Sequence, residues 1–177
     1  MRNYRKSRLA KKSAPGSGSK LTQSSLPVCG GRFQVPWVIY HGVPVGWTKA
    51  VMVEVHRRLG GVYPIECCFR AARGIREPTD DQVIWYEYKS TLYRVADGIL
   101  VGDRACIELA IRYIELRWIG SYSGYIRALL ARRLKHVDLG KSEQRRLIRH
   151  FEYIVANRDY TAEFREYEKL WKRITIS

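Results

Sequence analysis

Val83-Ile84-Trp85-Tyr86-Glu87-Tyr88-Lys89-Ser90-Thr91-Leu92-Tyr93-Arg94-Val95-Ala96-Asp97-Gly98-Ile99-Leu100-Val101 is the stretch whose reading decides the fold class. It is rich in β-branched and aromatic residues, which suit a pleated, half-buried surface. Lys89-Ser90-Thr91 and Ala96-Asp97-Gly98 divide it into Val83–Tyr88, Leu92–Val95 and Ile99–Val101, and Asp-Gly is a strong turn signal. The stretch then reads as a three-stranded meander. The chain is predicted to be α+β, a small mixed sheet with a β-meander followed by a C-terminal helical bundle.

Outward from this stretch, Gly102-Asp103 opens a helix over Arg104–Trp118. Ile107, Ile111, Ile114 and Trp118 mark its apolar side, and Glu108, Arg112 and Glu115 its polar side. Upstream, Phe33–Tyr40 is β-rich, and Pro36 marks an edge strand or a strand start. Lys49–Leu59 reads as a helix with Val51, Val55 and Leu59 in register, capped by Thr48 and ended by Gly60. Val62–Arg70 reads as a buried strand, with a helix starting at Pro64 as the alternative.

Downstream the pattern is helical. Tyr125–His136 sets Ile126, Leu129, Leu130 and Leu134 against Arg127, Arg132, Arg133 and Lys135. Ser142 is read as the cap of a helix with a Leu147, Ile148, Phe151, Ile154, Val155 stripe and a basic Arg145, Arg146, Arg149 face. Thr161 is read as the cap of the last helix, with Phe164, Tyr167 and Trp171 buried. No internal repeat reaches the three units a solenoid needs. Three regions are expected: a disordered basic arm over 1–31, an α+β core over 33–118, and a C-terminal helical region over 119–177 packed on that core.

Charge is concentrated at the start. The 177 residues carry a formal charge of +15. Residues 1–32 hold eight cations and no acid, and the rest hold 24 cations against 17 acids. Arg2, Arg5, Lys6, Arg8, Lys11 and Lys12, followed by a Ser/Gly/Pro segment, cannot bury enough to offset the entropy of ordering. Such a concentration serves electrostatics and points to a polyanion, foremost nucleic acid.

The arm lacks the apolar run of a secretory signal, and no run approaches the roughly 18 apolar residues needed to cross a bilayer. A cytoplasmic location follows as the expectation. Cys29, Cys67, Cys68 and Cys106 form no CxxC pair, and His41, His56, His136 and His150 are scattered, so no zinc spacing is read. Buried free thiols in a reducing compartment are expected.

The most informative join is Gly102-Asp103-Arg104. The free N–H groups of a helix's first turn, with Arg104 beside them, could hold a phosphate. The alternative is that Asp103 only caps the helix and Arg104 pairs with Glu108. This motif resembles the Gly-Glu-Arg-Arg box of the ParB/sulfiredoxin-like superfamily. The helix Lys49–Leu59, the Gly60-Gly61 pair, the Pro64-containing segment and Arg70 come in a similar order before it. Ala105 replaces the second Arg of the box, and Asp103 stands where sulfiredoxins carry their Cys. Fertility-inhibition proteins of the oncogenic-suppression type, a plasmid branch of that superfamily, are similar in size and basicity.

The resemblance implies nucleotide or phosphate binding at Gly102, Asp103 and Arg104, with ATP and Mg as cofactors. It also implies a weak nuclease or ATPase activity carried by Asp103 and Arg104, and a role in blocking conjugative DNA transfer. Arg127, Arg132, Arg133, Arg145, Arg146 and Arg149 form the second candidate site, since Arg suits phosphate contacts. The competing reading is a solvated helix face balanced by Glu143 and Glu152. His56 and Glu54 are two apart and share no helical face, and Asp80-Asp81 and Glu87 read as ordinary polar positions.

Three functions are therefore carried forward. The first is a nucleic-acid-interacting regulatory protein. The second is a non-catalytic protein docking to an acidic protein partner through its C-terminal helices, and the third is an RNA- or ribosome-associated component.

Overall fold

A computed structural model describes residues 42–66 and 79–176. Within them the deciding stretch is one helix. Asp80–Leu100 runs unbroken for 21 residues as α2. Thr79 and Gln82 close its start by a reciprocal capping box: the Thr79 hydroxyl accepts from Gln82 N and the Gln82 side chain accepts from Thr79 N.

The α+β expectation with its meander is overturned, because no strand occurs among the described residues. The reason lies in the period. Trp85, Tyr88, Leu92, Val95, Ala96 and Ile99 are all buried, and their spacings of three and four put them on one helical stripe. β-branched and aromatic content misleads here because tertiary burial outweighs intrinsic preference.

Gly98 is the residue that most invited a turn, and it has a different task. A Cβ there would lie 2.4 Å from Cys106 Sγ and 2.9 Å from the Tyr63 ring. Helix α2 therefore passes so close to its neighbours that only glycine fits. The segment 62–66 forms neither helix nor strand and bends at Tyr63, so the strand expected over Val62–Arg70 is absent across the described part; 67–70 lie outside the described residues, as do Phe33–Tyr40 and the arm 1–31.

The other helices follow their sequence signals closely. α1 spans Lys49–Arg58, with Thr48 capping Val51 N and Gly60 at φ 73° just beyond its end. It buries Met52 and His56, while Val51 and Leu59 are exposed. α3 is Arg104–Leu116, α4 Ser123–Leu134, α5 Lys141–Ala156 and α6 Phe164–Ile176. Gly140, rather than Ser142, is the N-cap of α5, and the Glu143 side chain accepts from its N–H at 2.7 Å. Tyr167 is buried as expected, whereas Phe164 and Trp171 are half-buried.

These six helices pack in two layers. α1, α3 and α5 lie side by side in one, and α2, α4 and α6 in the other, with each odd helix also against the even helix that follows it. α3 and α5 are parallel: Arg104 at the start of α3 reaches Glu143 at the start of α5, and Arg146 reaches Glu108 and Glu115 further along. α1 runs antiparallel to α3, since His56 near its end meets Asp103 at the start of α3 while Trp47, just ahead of α1, packs on Tyr113. One apolar cluster runs from Met52 to Ile174 through all six helices.

A charged pair sits inside that cluster. Arg127 of α4 and Glu163, just ahead of α6, are each 5% exposed. The guanidinium donates through Nε to Glu163 Oε1 at 2.7 Å, with Nη2 2.5 Å from the same oxygen, and through Nη1 to the Trp118 carbonyl. Tyr88 and Tyr113 share a hydrogen bond nearby, and burial above all pushes both phenols up from their ordinary range.

Two outcomes follow. Gly98→Ala should destabilise by about 1–3 kcal/mol in urea unfolding, although alanine is the better helix former; the exposed Asp97→Ala should shift stability by no more than about 0.5 kcal/mol. Glu163→Ala should cost about 3–5 kcal/mol by leaving Arg127 charged and unpaired. Removing both charges with Arg127→Met and Glu163→Leu should cost less than the two single changes added together.

Candidate functional site

The Gly102–Arg104 corner joins α2 to α3, so it is a helix-to-helix turn. Gly102 takes φ 78°, a left-handed conformation that glycine adopts freely. Asp103 then points inward and Arg104 outward. Asp103 Oδ1 accepts from Cys106 N at 2.9 Å, which caps α3. Oδ2 accepts from Val62 N at 2.7 Å and Tyr63 N at 2.8 Å, tying the segment after α1 to the start of α3. Burial pushes this carboxyl up, but the three backbone N–H groups and the nearby His56 outweigh it and hold its pKa at about 2.

Two further side chains converge on Asp103. His56 Nε2 lies 3.3 Å from Oδ1 but off the line of a hydrogen bond, and this buried nitrogen has no hydrogen-bond partner. Cys106 is fully buried, and burial beside the carboxylate pushes its thiol well up. The donor atoms of His56, Asp103 and Cys106 all lie within 4.8 Å of one another. Glu54, two residues from His56, is turned away from this grouping and accepts from Arg57 and Arg58. The signals for it were the Met52/His56 spacing of four and the cap-to-third-residue spacing of Asp103 and Cys106.

ATP and magnesium do not fit at this corner. Asp103 is buried, both its oxygens accept backbone N–H groups, and its neighbours are a sulfur and an imidazole. Magnesium takes oxygen ligands and keeps several waters. The arrangement supports no catalytic step through Asp103.

Arg104 does not pair with Glu108. It crosses to α5, donating to Glu143 Oε1 at 2.6 Å and to the Asp138 carbonyl at 3.1 Å, and more than half of its side chain stays exposed. It thus stands beside Gly140 at the N-terminus of α5.

The six arginines expected on the late helices separate into distinct roles. Arg127 is the buried partner of Glu163. Arg146 bridges Glu108 and Glu115 of α3, and these hydrogen bonds raise its pKa further despite partial burial. Arg132 is exposed with Glu166 at 3.7 Å, and Arg133 is half-buried with an unpartnered Nε. Arg145 and Arg149 are exposed and have no acidic partner among the described residues. With Lys141 they recur every fourth residue, so they line one face of α5.

α3 and α6 each pack against both α4 and α5, whose backbones do not approach each other, so the arginines of these two helices form no closely packed helix–loop–helix surface. Arg2, Arg5, Lys6, Arg8, Lys11 and Lys12 lie outside the described residues. An open cleft of about 720 Å³ between the end of α5 and α6 is lined by Tyr160, Phe164 and Trp171 together with Arg165, Glu168 and Lys172. It shares no residue with the Gly102–Arg104 corner. No described helix is long and apolar enough to cross a membrane.

Compared with protein-family models, with curated proteins and with solved structures, the chain matches none.

Proposed function

We propose that this chain is a nucleic-acid-interacting regulatory protein that holds phosphates along the exposed face of α5. The observation that carries this reading is the Lys141–Arg145–Arg149 stripe, three cations in line with no acid paired to them, with Arg104 beside its first turn. Cations four residues apart on a helix stand about 6 Å apart along the axis. Arginine adds a planar fork that suits phosphate oxygens.

The basic arm supplies further, non-specific attraction, and a role in restraining conjugative DNA transfer is the regulatory setting that the family resemblance suggests. Nuclease or ATPase chemistry is not part of the proposal, since Asp103 is buried and engaged by its own chain. A second reading, docking to an acidic protein, draws support from the aromatic cleft flanked by Arg165 and Lys172.

Binding to a labelled DNA duplex across a salt series tests the first reading. Arg145→Ala with Arg149→Ala should lower the magnitude of the log–log salt slope by about 1.8, at about 0.9 per phosphate contact, and leave unfolding within about 0.5 kcal/mol of the parent. An unchanged slope would overturn the α5 assignment. A complex with a protein partner that survives nuclease and high salt would favour the second reading. Deleting residues 1–31 should lower the slope further, in addition to the loss from the α5 pair, because the two sets of cations act on different phosphates.

A further inference from the structure

We propose that His56, Asp103 and Cys106 form a binding site for one divalent transition-metal ion of the zinc class, buried between α1 and the start of α3. This inference is independent of the nucleic-acid reading. Three different donors converge, an imidazole nitrogen, a carboxylate oxygen and a sulfur, all from buried residues and all within 4.8 Å of one another. Bonds of about 2.0–2.3 Å to a tetrahedral ion place its ligand atoms roughly 3.3–3.8 Å apart. The 3.3 Å between His56 Nε2 and Asp103 Oδ1 already has that spacing.

A second observation points to a ligand. His56 is 5% exposed, and its Nε2 is buried without a hydrogen-bond partner while facing the cluster. A buried imidazole nitrogen normally finds a partner, and leaving one unmade is costly. A metal ion would take that lone pair. Asp103 is positioned as metal-binding carboxylates are: its remaining lone pairs are held by the N–H groups of Val62, Tyr63 and Cys106, which fix its direction.

Two glycines keep the space open. A Cβ at Gly61 would lie 2.2 Å from His56 Nε2, and one at Gly98 would lie 2.4 Å from Cys106 Sγ. Side chains at these positions would press directly on two of the three donor atoms.

The donor set selects the ion. Sulfur and imidazole suit zinc and its neighbours, not magnesium or calcium. On binding, the Cys106 S–H bond breaks, a sulfur–metal bond forms and the proton leaves to solvent, while neutral His56 donates its Nε2 lone pair. The fourth position is not filled by any of the described residues, and a solvent molecule completes it. Because the site is buried, the ion enters as the chain folds, so binding and folding are coupled.

The competing account is a hydrogen-bonded cluster alone, with Asp103 as acceptor. The full chain, stripped with chelator under reductant and titrated with Zn²⁺, distinguishes the two. The site requires one zinc per chain and a rise in melting temperature. X-ray absorption of the wild-type zinc complex should show a single sulfur at about 2.3 Å, with nitrogen and oxygen at about 2.0–2.2 Å. Cys106→Ser and His56→Gln should each weaken binding by at least about 100-fold.

Zinc bound below stoichiometry, or held equally well by both variants, would overturn the proposal. So would a coordination shell with two or more sulfurs, which would place the ion on Cys29, Cys67 or Cys68. Should either variant fail to fold, the absorption spectrum of the wild type decides.

Discussion

Arg127 and Glu163 carry opposite charges into a core otherwise made of aliphatic and aromatic side chains, and the pairing of α4 with α6 is organised around them. Removing two ions from water costs several kcal/mol each, so such a pair holds only where geometry and extra hydrogen bonds compensate. Both conditions are met. The guanidinium fork engages Glu163 and also the Trp118 carbonyl, so one side chain fixes α4, the start of α6 and the turn between α3 and α4. Gly124 adds to the constraint: a Cβ there would lie 3.0 Å from a Glu163 carboxylate oxygen. An apolar pair of equal volume would tolerate sliding between the helices, whereas the fork permits one register.

Where the sequence was legible, a local rule and the tertiary structure agreed. Thr48 before α1, Gly60 after it and Asp103 before α3 are caps whose chemistry is set within a few residues, and each is realised. Helix α2 was not legible by composition because its β-branched and aromatic residues serve as core. The helical period was present in Trp85, Tyr88, Leu92, Val95 and Ile99, but Asp97-Gly98 offered a local turn that outweighed it. Gly98 is glycine because Cys106 and Tyr63 crowd it, and such a contact depends on a partner eight residues away and another 35 away. No local rule could have supplied it.

The candidate sites show the same division. That Asp103 caps a helix was readable; that Val62, Tyr63 and His56 also meet its carboxylate was not, since that requires the path of the chain after α1. Arginine is still harder to place. Arg127 and Arg132 are five residues apart on one helix and belong to the same basic composition, yet one is 5% exposed and the other open to solvent. A long amphipathic side chain can lie on either side of the surface, and only a buried acid opposite it decides.

That sorting explains why the α5 stripe stands free. Arginine ion pairs join α3 to α5, Arg104 with Glu143 and Arg146 with Glu108 and Glu115, and α4 to α6, Arg132 with Glu166. Glu143 and Arg146 are three apart and share the side of α5 that meets α3. Lys141 and Arg145 are rotated away from that side, and Arg149, three residues past Arg146, lies at its edge, exposed and without an acidic partner among the described residues. The charge of the sequence is therefore divided by geometry. Arginines facing a stacked helix hold the layers in register, and those facing away retain their full attraction for an anion.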